Sequence, residues 1–145
     1  MATKTRHSAR AILIDDEQQV ILIKRSKPGL APYWTLPGGG IEDTDESPKA
    51  ALIRELFEEL GATATKIFPV FSLDSQNFFV ARLATMDQSQ RTGSEFADAS
   101  RGDYDVERIG IYSNELSRID LKPLEIKEFI LENKKELLGK IGFEV

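Results

Sequence analysis

Residues 48–60 constrain this chain more than any other stretch, because both ends of a helix are written into the residues around them. Ser47 is a favoured N-cap, Pro48 sits in the first turn where its missing N–H costs nothing, and Gly61 suits the left-handed residue that closes a helix. At ~100° per residue, Leu52, Leu56, Leu60, Ile53, Phe57 and Ala50 fall on one apolar arc roughly 160° wide, which is predicted to face the core. Arg54, Glu55, Glu58 and Glu59 lie on the other side with Ala51. The three glutamates are neighbours at spacings of three and four, and the small Ala51 leaves room between their carboxylates.

A solvated face is the ordinary explanation of a charge run, but the placement of this one argues against it. Like charges at these spacings cost ~0.2–0.5 kcal/mol per pair, and a carboxylate near a helix C-terminus opposes the macrodipole by ~0.3–1 kcal/mol. On that accounting Glu59→Gln is expected to stabilise the metal-free protein by roughly 0.5–1.5 kcal/mol. A divalent cation reverses both penalties, and carboxylate oxygens without His or Cys suit Mg²⁺, with Mn²⁺ as the alternative. Upstream of the helix, residues 36–40 read LPGGG. Gly38, Gly39 and Gly40 let the backbone approach a ligand closely and offer it N–H and C=O groups, which makes them candidate substrate-binding residues. A glycine run feeding an acidic helix points to a metal-dependent phosphate site.

These residues resemble the signature of the Nudix hydrolases, the family that includes MutT: G-x5-E-x7-R-E-U-x-E-E-x-G-U, with U apolar. The match runs over 40–62 through Gly40, Glu46, Arg54, Glu55, Leu56, Glu58, Glu59, Gly61 and Ala62. With each fixed residue at ~5–7% usage, a chance match in a chain of this length is on the order of 10⁻⁷ to 10⁻⁶. Two departures stand out. Ala62 is smaller than the usual Ile, Leu or Val, and the spacing is met from the third glycine instead of the second, so the segment 43–45 is one residue longer than is common in the family. The position after Pro37 favours Gly38 as the carbonyl that faces the metal.

The 145 residues make one ordinary domain, expected over 1–145. There is no cysteine, which excludes a disulfide framework and a thiolate site. The first ten residues lack the apolar run of a signal peptide, so a cytoplasmic protein is expected. A net charge of −5 and a pI near 5.0 disfavour a nucleic-acid or anionic-membrane partner. They leave open a small polyanion brought in with Mg²⁺, and a homodimer.

Strands are predicted over 10–14 and 20–25 as a hairpin, and over 34–36, 66–73, 77–83 and 108–112. A short helical turn is expected near 113–117 and an amphipathic helix over 123–138, with Leu124, Phe129 or Ile130, Leu131 and Leu138 available to the core. Trp34 reads as a core anchor in preference to a base-stacking platform. Phe78 and Phe79 point to opposite faces of their strand, both packed. Residues 85–103 read as one long polar loop. Strands interleaved with helices indicate an α/β protein with a mixed sheet flanked by helices, and the resemblance implies the Nudix α/β/α sandwich.

The resemblance further implies hydrolysis of a pyrophosphate bond in a nucleoside diphosphate linked to X. Glu55, Glu58 and Glu59 with Gly38 would bind the Mg²⁺, Arg54 would orient a carboxylate, and Arg25 would contact phosphate. The general base is Glu58 or Glu95, the latter in the polar loop, where the family often supplies a further carboxylate. Residues 71–83 contain neither the proline of ADP-ribose-type members nor the tyrosine of diadenosine-polyphosphate types. By elimination a (deoxy)nucleoside triphosphate, including an oxidised one, is preferred. A catalytically silent nucleotide-binding module of the same fold is the competing reading.

Overall fold

The computed structural model describes residues 7–90 and 103–145. β1 (Ser8–Ile14) and β2 (Gln19–Ser26) form the expected hairpin, each extended beyond the predicted span. Asp15 sets the turn by accepting from the N–H groups of Glu17 (3.0 Å) and Gln19 (2.9 Å), with Gln18 at a positive φ of 61°. β3 (Tyr33–Thr35) pairs with β2, and β4 (Gly38–Gly40) pairs with β1. The glycine run is thus a short strand lying on β1.

α1 spans Pro48–Leu60 as predicted, with the Ser47 side chain accepting from Ala50 N–H at 3.0 Å and Gly61 left-handed at φ 62°. β5 (Ala62–Leu73), β6 (Gln76–Met86) and β7 (Asp103–Gly110) follow. α2 (Asn114–Arg118), β8 (Leu121–Lys122), α3 (Leu124–Glu132) and α4 (Lys134–Lys140) complete the chain. The sheet runs β5-β6-β1-β2-β3-β8, with β4 on β1 and β7 on β2. The β1–β6 and β3–β8 pairs are parallel and the others antiparallel, so the sheet is mixed.

Alternation along the strands supplies both faces of this sandwich. Ala11, Leu13, Ile21, Ile23 and Phe79 pack under Leu52, Leu56 and Leu60 of α1. Ile12, Ile14, Leu22, Phe78 and Val80 pack against Leu116, Ile126, Ile130, Leu137 and Leu138 on the other side. Phe78 and Phe79 therefore divide between the faces as read. Trp34 packs against the second cluster, and its indole N–H donates to Glu107 at 2.7 Å.

Three expectations change. The apolar arc of α1 is buried along one edge only: Ile53 and Phe57 are exposed, whereas Ala51 and Glu59 are turned inward, because the helix also packs on β4. The terminal helix is broken at Asn133, whose side-chain amide donates to Phe129 C=O at 2.8 Å and whose φ/ψ of −128°/29° is not helical. The break lets Leu137 and Leu138 reach the core, while Leu124 is left exposed. Both ends of the stretch expected as a loop over 85–103 belong to strands, β6 and β7, and a 3₁₀ turn lies at Gln88–Gln90. Glu95 lies outside the described residues.

Candidate active site

The glycine strand and the acidic helix meet because β4 lies on β1 directly beside α1. Gly38 has φ +141°, and a Cβ there would run into the Ala9 carbonyl of β1. Its N–H donates to Oε1 of the buried Glu59 at 3.0 Å. At Gly39 an added Cβ would sit 2.5 Å from the carboxyl carbon of Glu55. The two glycines are therefore what allow the backbone to lie against two of the three glutamates.

Arg54 organises the rest. Its Nε and Nη2 donate to the two carboxylate oxygens of Asp45 at 3.0 and 2.8 Å, and Nη2 also donates to Gly40 C=O at 3.1 Å. Its Nη1 donates to Glu55 Oε1 at 3.0 Å and Glu58 Oε2 at 3.2 Å. These bonds use all five guanidinium donors, a geometry that lysine cannot reproduce. The pairing raises the Arg54 pKa, chiefly through the hydrogen bond to Asp45. The Arg54 guanidinium, helped by Glu42 N–H, pushes the Asp45 carboxyl down to about 2. A depressed carboxyl pKa stabilises the fold above its unfolded value of 3.8, and that contribution is lost as the pH falls through about 2.

The cost assigned to the bare cluster is thereby corrected. Arg54 neutralises Glu55 and Glu58, and Gly38 N–H satisfies Glu59, so the basis for a gain in Glu59→Gln is gone. The signature also reads differently in three dimensions. Glu46 is exposed, and the carboxylate that grips Arg54 is Asp45, in the segment that is one residue longer than usual. Counted from Gly39, Asp45 falls at the acidic position, which is the signal in the sequence that identifies it. Asp45→Asn is expected to lower turnover roughly 10–100-fold, as is typical when the support of a ligand is removed, with Glu46→Gln within about twofold of wild type. Steady-state rates of the two variants check this, and the reverse order would restore Glu46 to the role.

One cleft of about 500 Å³ takes in Gly38, Gly39, Gly40, Glu55, Glu58 and Glu59 from α1 and β4. Arg25 from β2 also lines it. Every predicted site residue among those described lines this cleft except Arg54, which braces its wall. Sequence reasoning missed Arg10, Thr35 and Tyr104, which also line it. Arg10 donates to Leu36 C=O at 2.9 Å, fixing the strand that leads into the glycines. Arg10 and Thr35 are shared with a second cleft of about 520 Å³, bounded by Gln76, Asp120, Lys122, Pro123 and Leu124.

The oxygen donors of Glu55, Glu58 and Glu59 fit a hard divalent cation, and no sulfur or imidazole competes on α1. Among the described residues, no three His, Cys, Asp or Glu side chains converge as a ready-made cage. Mg²⁺ usually completes its shell with water and substrate phosphate.

A profile of the NUDIX domain matches residues 4–116. The chain belongs to the Nudix family. Among curated proteins it is 37% identical over 67 residues to an 8-oxo-dGTP diphosphatase of Proteus vulgaris, covering 46% of this chain and 59% of that one. It is 41% identical over 64 residues to an RNA pyrophosphohydrolase of Acidiphilium cryptum, covering 43% and 38%. The match thus spans less than two thirds of either relative. A solved MutT structure, from work on the Aliivibrio salmonicida and Vibrio cholerae proteins, superposes with a TM-score of 0.61 at 24% identity, covering 90% of this chain and 99% of that one. That likeness bears out the Nudix α/β fold, a mixed sheet flanked by helices. Among the described residues no helix is long and apolar enough to cross a membrane.

Proposed function

We propose that this Nudix protein is a Mg²⁺-dependent hydrolase of a pyrophosphate bond in a nucleoside diphosphate linked to X, with a (deoxy)nucleoside triphosphate as the preferred substrate. The observation that carries the reading is one cleft holding three helix glutamates together with Arg25 and Arg10. Carboxylates alone would repel a polyphosphate and arginines alone would repel a cation, so a cleft with both suits a phosphate chain that arrives with its metal. The similarity to an 8-oxo-dGTP diphosphatase supports the triphosphate choice, an oxidised one included.

In this reading Glu55, Glu58 and Glu59, with the Gly38 carbonyl, hold the cation. When bound, it supplies charge neutralisation at the phosphates and a lowered pKa for an attacking water. Arg54 keeps Glu55 and Glu58 in place, and Arg25 contacts the phosphates. The general base is Glu58 or Glu95. The adjoining cleft bounded by Gln76, Asp120 and Lys122 offers donors and acceptors to a nucleobase edge. The net charge of −5 favours a small nucleotide over a polynucleotide.

Thermal melts test the metal assignment without turnover. At 100-fold excess over its dissociation constant, Mg²⁺ should stabilise wild type by about 2.7 kcal/mol, or roughly 5–11 °C, and Glu59→Gln much less. In EDTA the variant should be no more stable than wild type, since it replaces a buried, charge-assisted acceptor of Gly38 N–H. Equal Mg²⁺ shifts would remove Glu59 from the metal site, and a stabilised variant in EDTA would contradict the assigned role of Gly38.

A further inference from the structure

Arg25 stands in the middle of a row of three side chains that cross the sheet. In the β2–β3 register it lies opposite Tyr33, and in the β2–β7 register opposite Tyr104. Directly opposed residues share a face of the sheet, so both rings flank one guanidinium. The Arg25 guanidinium carbon lies 3.7 Å from the Tyr104 ring centroid and 5.9 Å from that of Tyr33. The nearer contact is a face-on stack, and Tyr104 lines the same cleft as the glutamates.

We propose that Tyr104 is a positioning residue, which holds the Arg25 guanidinium in the orientation that receives a substrate phosphate. The inference rests on the proposed phosphate chemistry and adds a residue to it. A stacked ring meets the π face of the guanidinium and not the plane of its N–H groups, which are the groups that phosphate oxygens use. Arginine has a long, flexible side chain, and fixing it before the ligand arrives reduces the ordering cost of binding. The contribution comes from the ring and not from the hydroxyl, so phenylalanine should replace tyrosine while an aliphatic residue should not.

The test is the affinity of the full chain for inorganic pyrophosphate in excess Mg²⁺, measured by titration calorimetry. Tyr104→Leu is expected to weaken binding roughly 3–30-fold, the range of a cation–π contact, and Tyr104→Phe to stay within about twofold. In an Arg25→Met background, Tyr104→Leu should add nothing further. Should Tyr104→Leu fail to fold, Tyr104→Gln replaces it, keeping the length of the side chain without an aromatic face. Wild-type affinity in the Leu or Gln variant, the same loss in the Arg25→Met background, or a Phe variant as weak as Leu would each overturn the proposal alone. A wild type that does not bind pyrophosphate would overturn the phosphate reading together with it.

Discussion

Glu58→Gln and Glu59→Gln should each lower turnover roughly 10²–10⁴-fold while leaving the protein folded. Both side chains reach the cleft from α1, whose caps and apolar contacts do not involve them, so the helix survives either change. Glutamine preserves shape and an acceptor oxygen, and what it removes is the charge that a hard cation requires. The two variants should differ in detail. Glu59 is buried on Gly38 N–H, so its loss should appear chiefly as weakened metal dependence. The Glu58 side chain is 36% exposed and shares Arg54 with Glu55, so it can act on water as well as on metal. Comparison with Glu95→Gln assigns the base: whichever of Glu58 and Glu95 lowers turnover more than metal affinity holds that role. Near-normal rates for both helix variants in saturating Mg²⁺ would sink the mechanism.

Gly38→Ala should be the most damaging single change to the fold near the site. A residue with a Cβ at φ +141° is strained by ~1–3 kcal/mol, and overlap with the Ala9 carbonyl adds ~1–3 kcal/mol because that backbone belongs to the central strand β1. The sum is roughly 2–6 kcal/mol, or about 4–24 °C in melting temperature. Gly39→Ala is the informative partner. Its clash is with the Glu55 carboxylate, a side chain that can move aside, so it should cost little stability and much activity. Melting curves and rates for the pair check the contrast, and equal stabilities would show that β4 is not held against β1 as described.

What could be read from the sequence follows how local each determinant is. α1 was legible to the residue, because Ser47, Pro48 and Gly61 set its ends within a few positions of themselves. Its facing was not, since an apolar arc does not say which of its edges meets the sheet. Packing on β4 turned Glu59 inward and left Ile53 and Phe57 outside. The carboxylate cluster was found from spacing along one helix, whereas Asp45, Arg10 and Tyr104 were not. Asp45 was hidden by counting the signature from Gly40, and the choice between Asp45 and Glu46 is made by the fold of residues 41–47 around Arg54. Tyr104 joins the site only through the β2–β7 register, a pairing between strands far apart in sequence. The break at Asn133 rests on a single side-chain bond to Phe129 C=O that competes with helix continuation, and periodicity carries no sign of it.

In the proposed function, the cleft lined by Glu55, Glu58, Glu59 and Arg25 and braced by Arg54 hydrolyses a nucleotide pyrophosphate bond with Mg²⁺. Release of phosphate and pyrophosphate, measured across a panel of nucleoside triphosphates, 8-oxo-dGTP, ADP-ribose and a diadenosine polyphosphate, tests it most directly. Release is expected from one or more triphosphates with wild type in Mg²⁺, abolished by EDTA and reduced at least 100-fold in Glu58→Gln. No release from any member of the panel, or release that persists undiminished in EDTA and in Glu58→Gln, would contradict it.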